Sequence, residues 1–88
     1  MISIQEARKI YPDIPYYTLE GLYQYVDNHI PTGGFLAAIL SNDLFGAVNQ
    51  ADVNNSKALV SIIHFVYMEV PSISCGSKDK MLAWLTRT

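Results

Sequence analysis

Two histidines, His29 and His64, and one cysteine, Cys75, are the side chains best suited to metal binding or nucleophilic catalysis in this 88-residue chain. Zinc sites place Cys and His ligands a few residues apart in pairs. Neither histidine has such a partner, so no metal or other cofactor is expected. His29 falls at the end of a predicted helix, where a cation is mildly favoured, and His64 lies in the most apolar stretch, where a hydrogen-bonded core or interface role is the expectation. Cys75 stands in Ser74-Cys75-Gly76-Ser77, just ahead of a predicted helix, a position that can lower a thiol pKa. A nucleophile also needs a base and an oxyanion site, and the spacing brings neither histidine to it. The expectation is a loop cysteine without a catalytic role, and no enzymatic activity.

The acids Asp13, Asp27, Asp43, Asp52 and Asp79 sit at turns and predicted helix starts, where local capping accounts for them. Gly33-Gly34 precedes a predicted helix but has no preceding strand and no following Lys-Ser/Thr pair, so it is not a phosphate cradle. Close helix packing is the expected reason for the pair, with the backbone passing near the central helix. Residues 44–63 echo a DNA-binding helix-turn-helix, with the turn at Ala51-Asp52-Val53. That turn usually takes Gly where Asp52 stands. The would-be recognition helix offers Asn54, Asn55, Ser56 and Lys57, with one cation to read bases, before turning apolar.

Composition points the same way. Half of the residues are hydrophobic, 11% are aromatic and only 16% are charged, against about 25% charged in an average soluble protein. Such a chain carries enough apolar side chain for one core, so one domain over residues 1–88 is expected. The net charge of −2 provides no long-range attraction for phosphate backbones or anionic lipid. A lone cysteine fits a reducing compartment. No apolar run is long enough to span a bilayer, and the N-terminal residues lack a secretory pattern, so the expected location is cytoplasmic.

Elements that could position these residues follow from caps and periodicity. Ser3-Ile4-Gln5-Glu6 has capping-box spacing, which starts a short helix that Pro12 ends. Thr18 is the expected N-cap of a second helix over 18–30, with Glu20 in its first turn and Pro31 after it. Along that helix Leu19, Leu22, Val26 and Ile30 form the stripe, and Tyr23 and Tyr25 widen it beyond one packing face. Leu19, Leu22, Tyr23, Tyr25 and Val26 are therefore the candidate interface, for self-association as a twofold dimer or for another protein. Thr32 is expected to cap a third helix with Phe35, Leu36, Ile39 and Leu40 buried. Ser41-Asn42-Asp43 interrupts it ahead of a fourth over 44–50, although one bent helix over 33–50 also satisfies the spacing.

The run 58–70 is the most apolar of the chain and, with caps in 52–56, predicts a buried central helix at about 54–70. A strand over 61–70 is the competing reading, because the run is rich in β-branched residues. Helix is preferred, since the run exceeds typical strand length and does not alternate. Ser77 caps a last helix that packs Met81, Leu82, Trp84 and Leu85 inward. The expected fold is all-α, a compact bundle of four to five short helices.

The residues Ile30-Pro31, Gly33-Gly34-Phe35-Leu36, Leu40, Asn42-Asp43-Leu44, Ala51-Asp52, Asn55, Gly76-Ser77 and Trp84-Leu85 resemble a group of small proteins of unknown function encoded by tailed bacteriophages and prophages. In that group a tryptophan is expected near the position of Cys75, and this chain departs there. The resemblance implies a phage or mobile-element origin and carries over no catalytic residue. The functional expectation is a non-enzymatic protein-interaction module, an accessory protein binding a host or phage protein. The alternative is a small dimeric helix-turn-helix-like DNA-binding regulator, although nucleic acid is disfavoured by charge.

Overall fold

The computed structural model describes residues 1–87, and among them the regular structure is entirely helical. Seven α-helices follow one another: α1 Ile4–Ile10, α2 Tyr16–Asn28, α3 Gly34–Leu40, α4 Leu44–Gln50, α5 Val53–Lys57, α6 Leu59–Glu69 and α7 Lys78–Leu85. A single 3-10 turn, Ser72–Ser74, joins the last two. The all-α class is as the sequence predicts, and residues 61–70 form no strand. The chain divides more finely than the four to five helices expected: residues 33–50 form two helices, and the expected helix over 54–70 breaks at Ala58, where φ is −99° and ψ is 9°.

Four helix starts are set by side chains three residues from the amide they cap. Ser3 accepts from the Glu6 amide at 3.2 Å, Asp43 from Gly46 at 2.9 Å, Asp52 from Asn55 at 2.7 Å and Ser77 from Lys80 at 3.1 Å. At Ser3 the reciprocal half of the box differs from expectation: the hydroxyl itself donates to the Glu6 carboxylate, at 3.2 Å. Two expected caps are not used. Helix α2 starts at Tyr16, behind Pro15, whose carbonyl accepts the Thr18 and Leu19 amides, which leaves Thr18 inside the helix and Glu20 beyond its first turn. Helix α3 is capped by Gly33 and not by Thr32.

The helix ends are equally local. Residue His29 adopts the left-handed conformation (φ 55°), which stops α2 ahead of Pro31 as its amide and that of Ile30 return to the Tyr25 and Gln24 carbonyls. Asn42, also left-handed (φ 63°), separates α3 from α4, so residues 33–50 are two helices. The Gly33-Gly34 pair does not admit the central helix. A Cβ at Gly33 would meet nothing, and one at Gly34 would touch the side chain of Gln50 on α4.

One hydrophobic core collects Leu19, Leu22 and Tyr25 from α2, Phe35, Leu36 and Leu40 from α3, and Ile62, Phe65 and Val66 from α6. The molecule measures 31 × 29 × 18 Å. At the usual interaxial distance of about 8–10 Å, the short dimension holds two layers of helices and not three. No helix can then be surrounded. For that reason α6 is not the buried central helix the sequence predicts: Ile62 and Phe65 are fully buried, whereas Val60 is 81% and Tyr67 83% exposed.

Candidate interaction surface

The expected interface residues on α2 face inward. Leu19, Leu22 and Tyr25 have no exposed surface, and Tyr23 and Val26 are half-buried against the core. This corrects the reading of α2 as a docking face, and the reason is that both ends of the chain return to cover its flanks. On one side the Tyr23 hydroxyl donates to the Ile2 carbonyl at 2.7 Å, and its ring lies 6.1 Å from that of Phe65. On the other, the Tyr25 hydroxyl donates to the Ser74 carbonyl at 2.6 Å, and the Trp84 indole N–H donates to the Tyr25 carbonyl at 2.9 Å. The Trp84 carbonyl only accepts, so His29 holds its proton on Nδ1, 2.8 Å away. Burial pushes the Tyr25 phenol up to about 12.

The chemically suggestive residues are dispersed. His29 packs on Trp84, with ring centroids 4.7 Å apart, while His64 is exposed and meets the edge of Tyr11 at 6.0 Å. The exposure of His64 corrects the expected core placement and follows from the outward side of α6. The Cys75 thiol sits 3.7 Å from the Pro71 carbonyl, and burial pushes its pKa up, the opposite of what an activated thiol requires. Among the described residues no group of three His, Cys, Asp or Glu is placed to hold a metal ion.

The helix-turn-helix echo also takes a specific form. After the turn at Ala51-Asp52, α5 is five residues long. Asn55 is buried and its side-chain oxygen accepts from the Thr18 hydroxyl, so it is turned away from any groove-reading position. Asp52 is held by the Tyr17 hydroxyl as well as by the Asn55 amide, and these two bonds, the Tyr17 bond first, hold its carboxyl below the usual range.

What the sequence reading missed is an apolar surface shared by α4 and α6. Leu44, Phe45 and Val48 lie within an arc of about 100° on α4 and are 57%, 86% and 56% exposed. On α6, Val60, Ile63 and Tyr67 lie within an arc of about 60° and are 81%, 39% and 83% exposed. A groove of about 200 Å³ is lined by Leu44 and Ala47 of α4, by Ile63, Val66 and Tyr67 of α6, and by Ile39, Asn42, Asp43, Cys75 and Gly76 from α3 and the neighbouring loops. Helix α4 contains no charged residue. The only one in α6, Glu69, is directed to the N-terminus, where it accepts the Ile2 amide at 3.2 Å. The one acid lining the groove, Asp43, is engaged as the cap of α4. A signal for this surface existed in the sequence: both helices carry apolar residues around more of their circumference than one packing stripe needs. No helix of the described residues is long and apolar enough to cross a membrane. Compared with family models, with curated proteins and with solved structures, the chain has no match to any of them.

Proposed function

We propose that this protein is a non-enzymatic protein-interaction module that docks a protein partner through the α4–α6 face. The observation that carries this reading is the groove whose walls include exposed Leu44, Ile63 and Tyr67, free of Lys, Arg and Glu, with Phe45, Val48 and Val60 as further exposed apolar residues of the same two helices. Scattered apolar residues are ordinary on a protein surface, but a contiguous set of this kind marks an interaction site. A phage or prophage origin, with a host or phage protein as partner, rests on the sequence resemblance alone. DNA binding is less well supported, because α5 presents few base-reading side chains and Asn55 is turned inward.

A photo-crosslinking amino acid placed at position 45 or 67 in the producing cell tests the reading. Protein adducts are expected from both positions and not from position 20, on the exposed side of α2. Absence of any adduct at 45 and 67 overturns it.

A further inference from the structure

A second opening, bordered by α2, the start of α3 and the turn between α4 and α5, shares no lining residue with the α4–α6 groove. It is a cleft of about 510 Å³, within the roughly 300–1,000 Å³ of clefts that enclose small molecules. Two of the polar side chains lining it are buried, Thr18 at 2% and Asn55 at 6% exposure. The Thr18 hydroxyl donates to Asn55 Oδ1 at 2.5 Å, which satisfies one end of the amide. The other end, Nδ2, has no acceptor among the described residues and is not sealed off inside the protein. Because Asn55 borders this cleft and is buried elsewhere, the free donor opens into it. A side chain taken this far out of water normally has its hydrogen-bonding groups paired, and here the pairing is left to an acceptor from outside the chain.

We infer that this cleft binds a small organic ammonium ion with an apolar body and a hydroxyl or carbonyl oxygen, the oxygen accepting from Asn55 Nδ2 and the ammonium facing Glu20.

The sign of the charge follows from the lining. No Lys, Arg or His borders the cleft, whereas the carboxylates of Glu20 and Asp52 do. Asp52 is kept ionised by the Tyr17 hydroxyl and the Asn55 amide, which hold its carboxyl below the usual range. An anion entering here meets two like charges and no counter-ion, while a cation is attracted by both. The two acids act differently. Both oxygens of Asp52 are already engaged, one by Tyr17 and one by the Asn55 amide, so Asp52 contributes its field. Glu20 is exposed and is the carboxylate open to direct contact. The ring of Tyr17, 52% exposed, adds an aromatic surface of the kind that attracts ammonium ions. Ile30, Pro31 and Phe35 line the same cleft and supply the apolar surface for the body of the ligand.

Chemical-shift titration of the full chain with tyramine, which joins an ammonium, an aromatic ring and a hydroxyl, tests the proposal. Saturable shifts are expected at the amides of Gly21, Gly33 and Asn55, and none at Phe45 or Tyr67. The anion 3-(4-hydroxyphenyl)propionate, with the same ring and hydroxyl, is expected not to bind. Glu20→Gln, at an exposed position, is expected to weaken tyramine by up to about fivefold, as for an exposed ion pair. Phenethylamine lacks the hydroxyl and is expected to bind wild type up to about tenfold more weakly, the loss of one hydrogen bond. Thr18→Val combined with Asn55→Leu removes both buried partners together and leaves neither unpaired. In that variant tyramine and phenethylamine are expected to bind equally. Absence of saturable shifts up to about 10 mM, weaker than any specific millimolar site, overturns the proposal, as does equal binding of the anion. Shifts confined to the α4–α6 face overturn it too, and they leave the docking reading standing. Should the double variant fail to fold, Glu20→Gln and the two control ligands decide: unchanged affinity in all three comparisons rejects the site.

Discussion

Helices α2 and α6 carry similar side chains and end up differently. Each has an aliphatic stripe flanked by aromatic residues, Leu19, Leu22 and Val26 with Tyr23 and Tyr25 in one, Ile62, Val66 and Ile63 with Phe65 and Tyr67 in the other. On α2 both flanks are covered: the N-terminal residues take Tyr23 and the segment 72–85 takes Tyr25. On α6 one flank is covered, where Phe65 meets Tyr11 and Tyr23, and the other stays open, so that Tyr67 is 83% exposed. The lesson is that apolar content does not decide which helix is central. Coverage is decided by which segments of chain return, and a molecule two layers thick leaves each helix with an outer side.

The comparison is most severely tested at Tyr25. Truncation of Tyr25→Ala empties the centre of the α2–α7 junction and is expected to cost about 3–5 kcal/mol, the range for large aromatic deletions in cores, read from urea unfolding. Tyr25→Phe keeps the ring and leaves the Ser74 carbonyl without its donor, so a loss of about 1–2 kcal/mol is expected. Because the phenol is raised from 10.0 to about 12 in the folded protein, its contribution is complete below pH 10 and disappears as the pH climbs toward 12. Tyr25→Phe is expected to lack that alkaline component. Equal losses from Tyr25→Ala and Tyr67→Ala would erase the distinction between the two helices.

A finer contrast lies within α6, between adjacent isoleucines. Ile62 is fully buried and Ile63 is 39% exposed. Ile62→Ala is expected to lose about 2–5 kcal/mol of stability and Ile63→Ala less than about 1 kcal/mol. A buried central helix over 54–70, as read from the sequence, would be unfolded by an acid at position 63. On the observed placement, Ile63→Asp is expected to stay folded and to change only association, which denaturation midpoints and circular dichroism would check.

The smallest effect concerns the junction between α2 and α5, where Asp52 joins both through Tyr17 and Asn55. Its carboxyl is held below the ordinary 3.8. The stabilisation is therefore present above about pH 4 and is lost as the pH falls through the lower folded value. Asp52→Asn still caps α5 but cannot titrate, so its thermal midpoint should fall less steeply in acid than that of the wild type. Parallel acid profiles for the two proteins would remove Asp52 from the account.

Much of the fold was legible because its determinants are short-range. The caps at Ser3, Asp43, Asp52 and Ser77 are bonds between residues three apart, and residue type and spacing are enough to find them. The interruption at Ser41-Asn42-Asp43 and the all-α class were readable on the same basis. Thr18 and Thr32 were misread where a neighbour offered an equally local start, Pro15 in one case and Gly33 in the other.

The candidate site was not legible, because it depends on facing and not on type. Periodicity marks a stripe on α2 and another on α6, but it does not say which is turned inward or whether its flanks are covered. That was settled by contacts such as Tyr25 with Ser74 and Tyr23 with Ile2, which are 49 and 21 residues apart. Closing such loops costs entropy that only the packing of the whole core offsets. The sequence by itself determined the all-α class and the helix starts at Ser3, Asp43, Asp52 and Ser77, since each of these caps involves groups already within a few bonds. Only the tertiary structure decided that Tyr25 is buried and Tyr23 half-buried on α2 while the apolar flank of α6 is exposed, since that required both ends of the chain to return to the same helix.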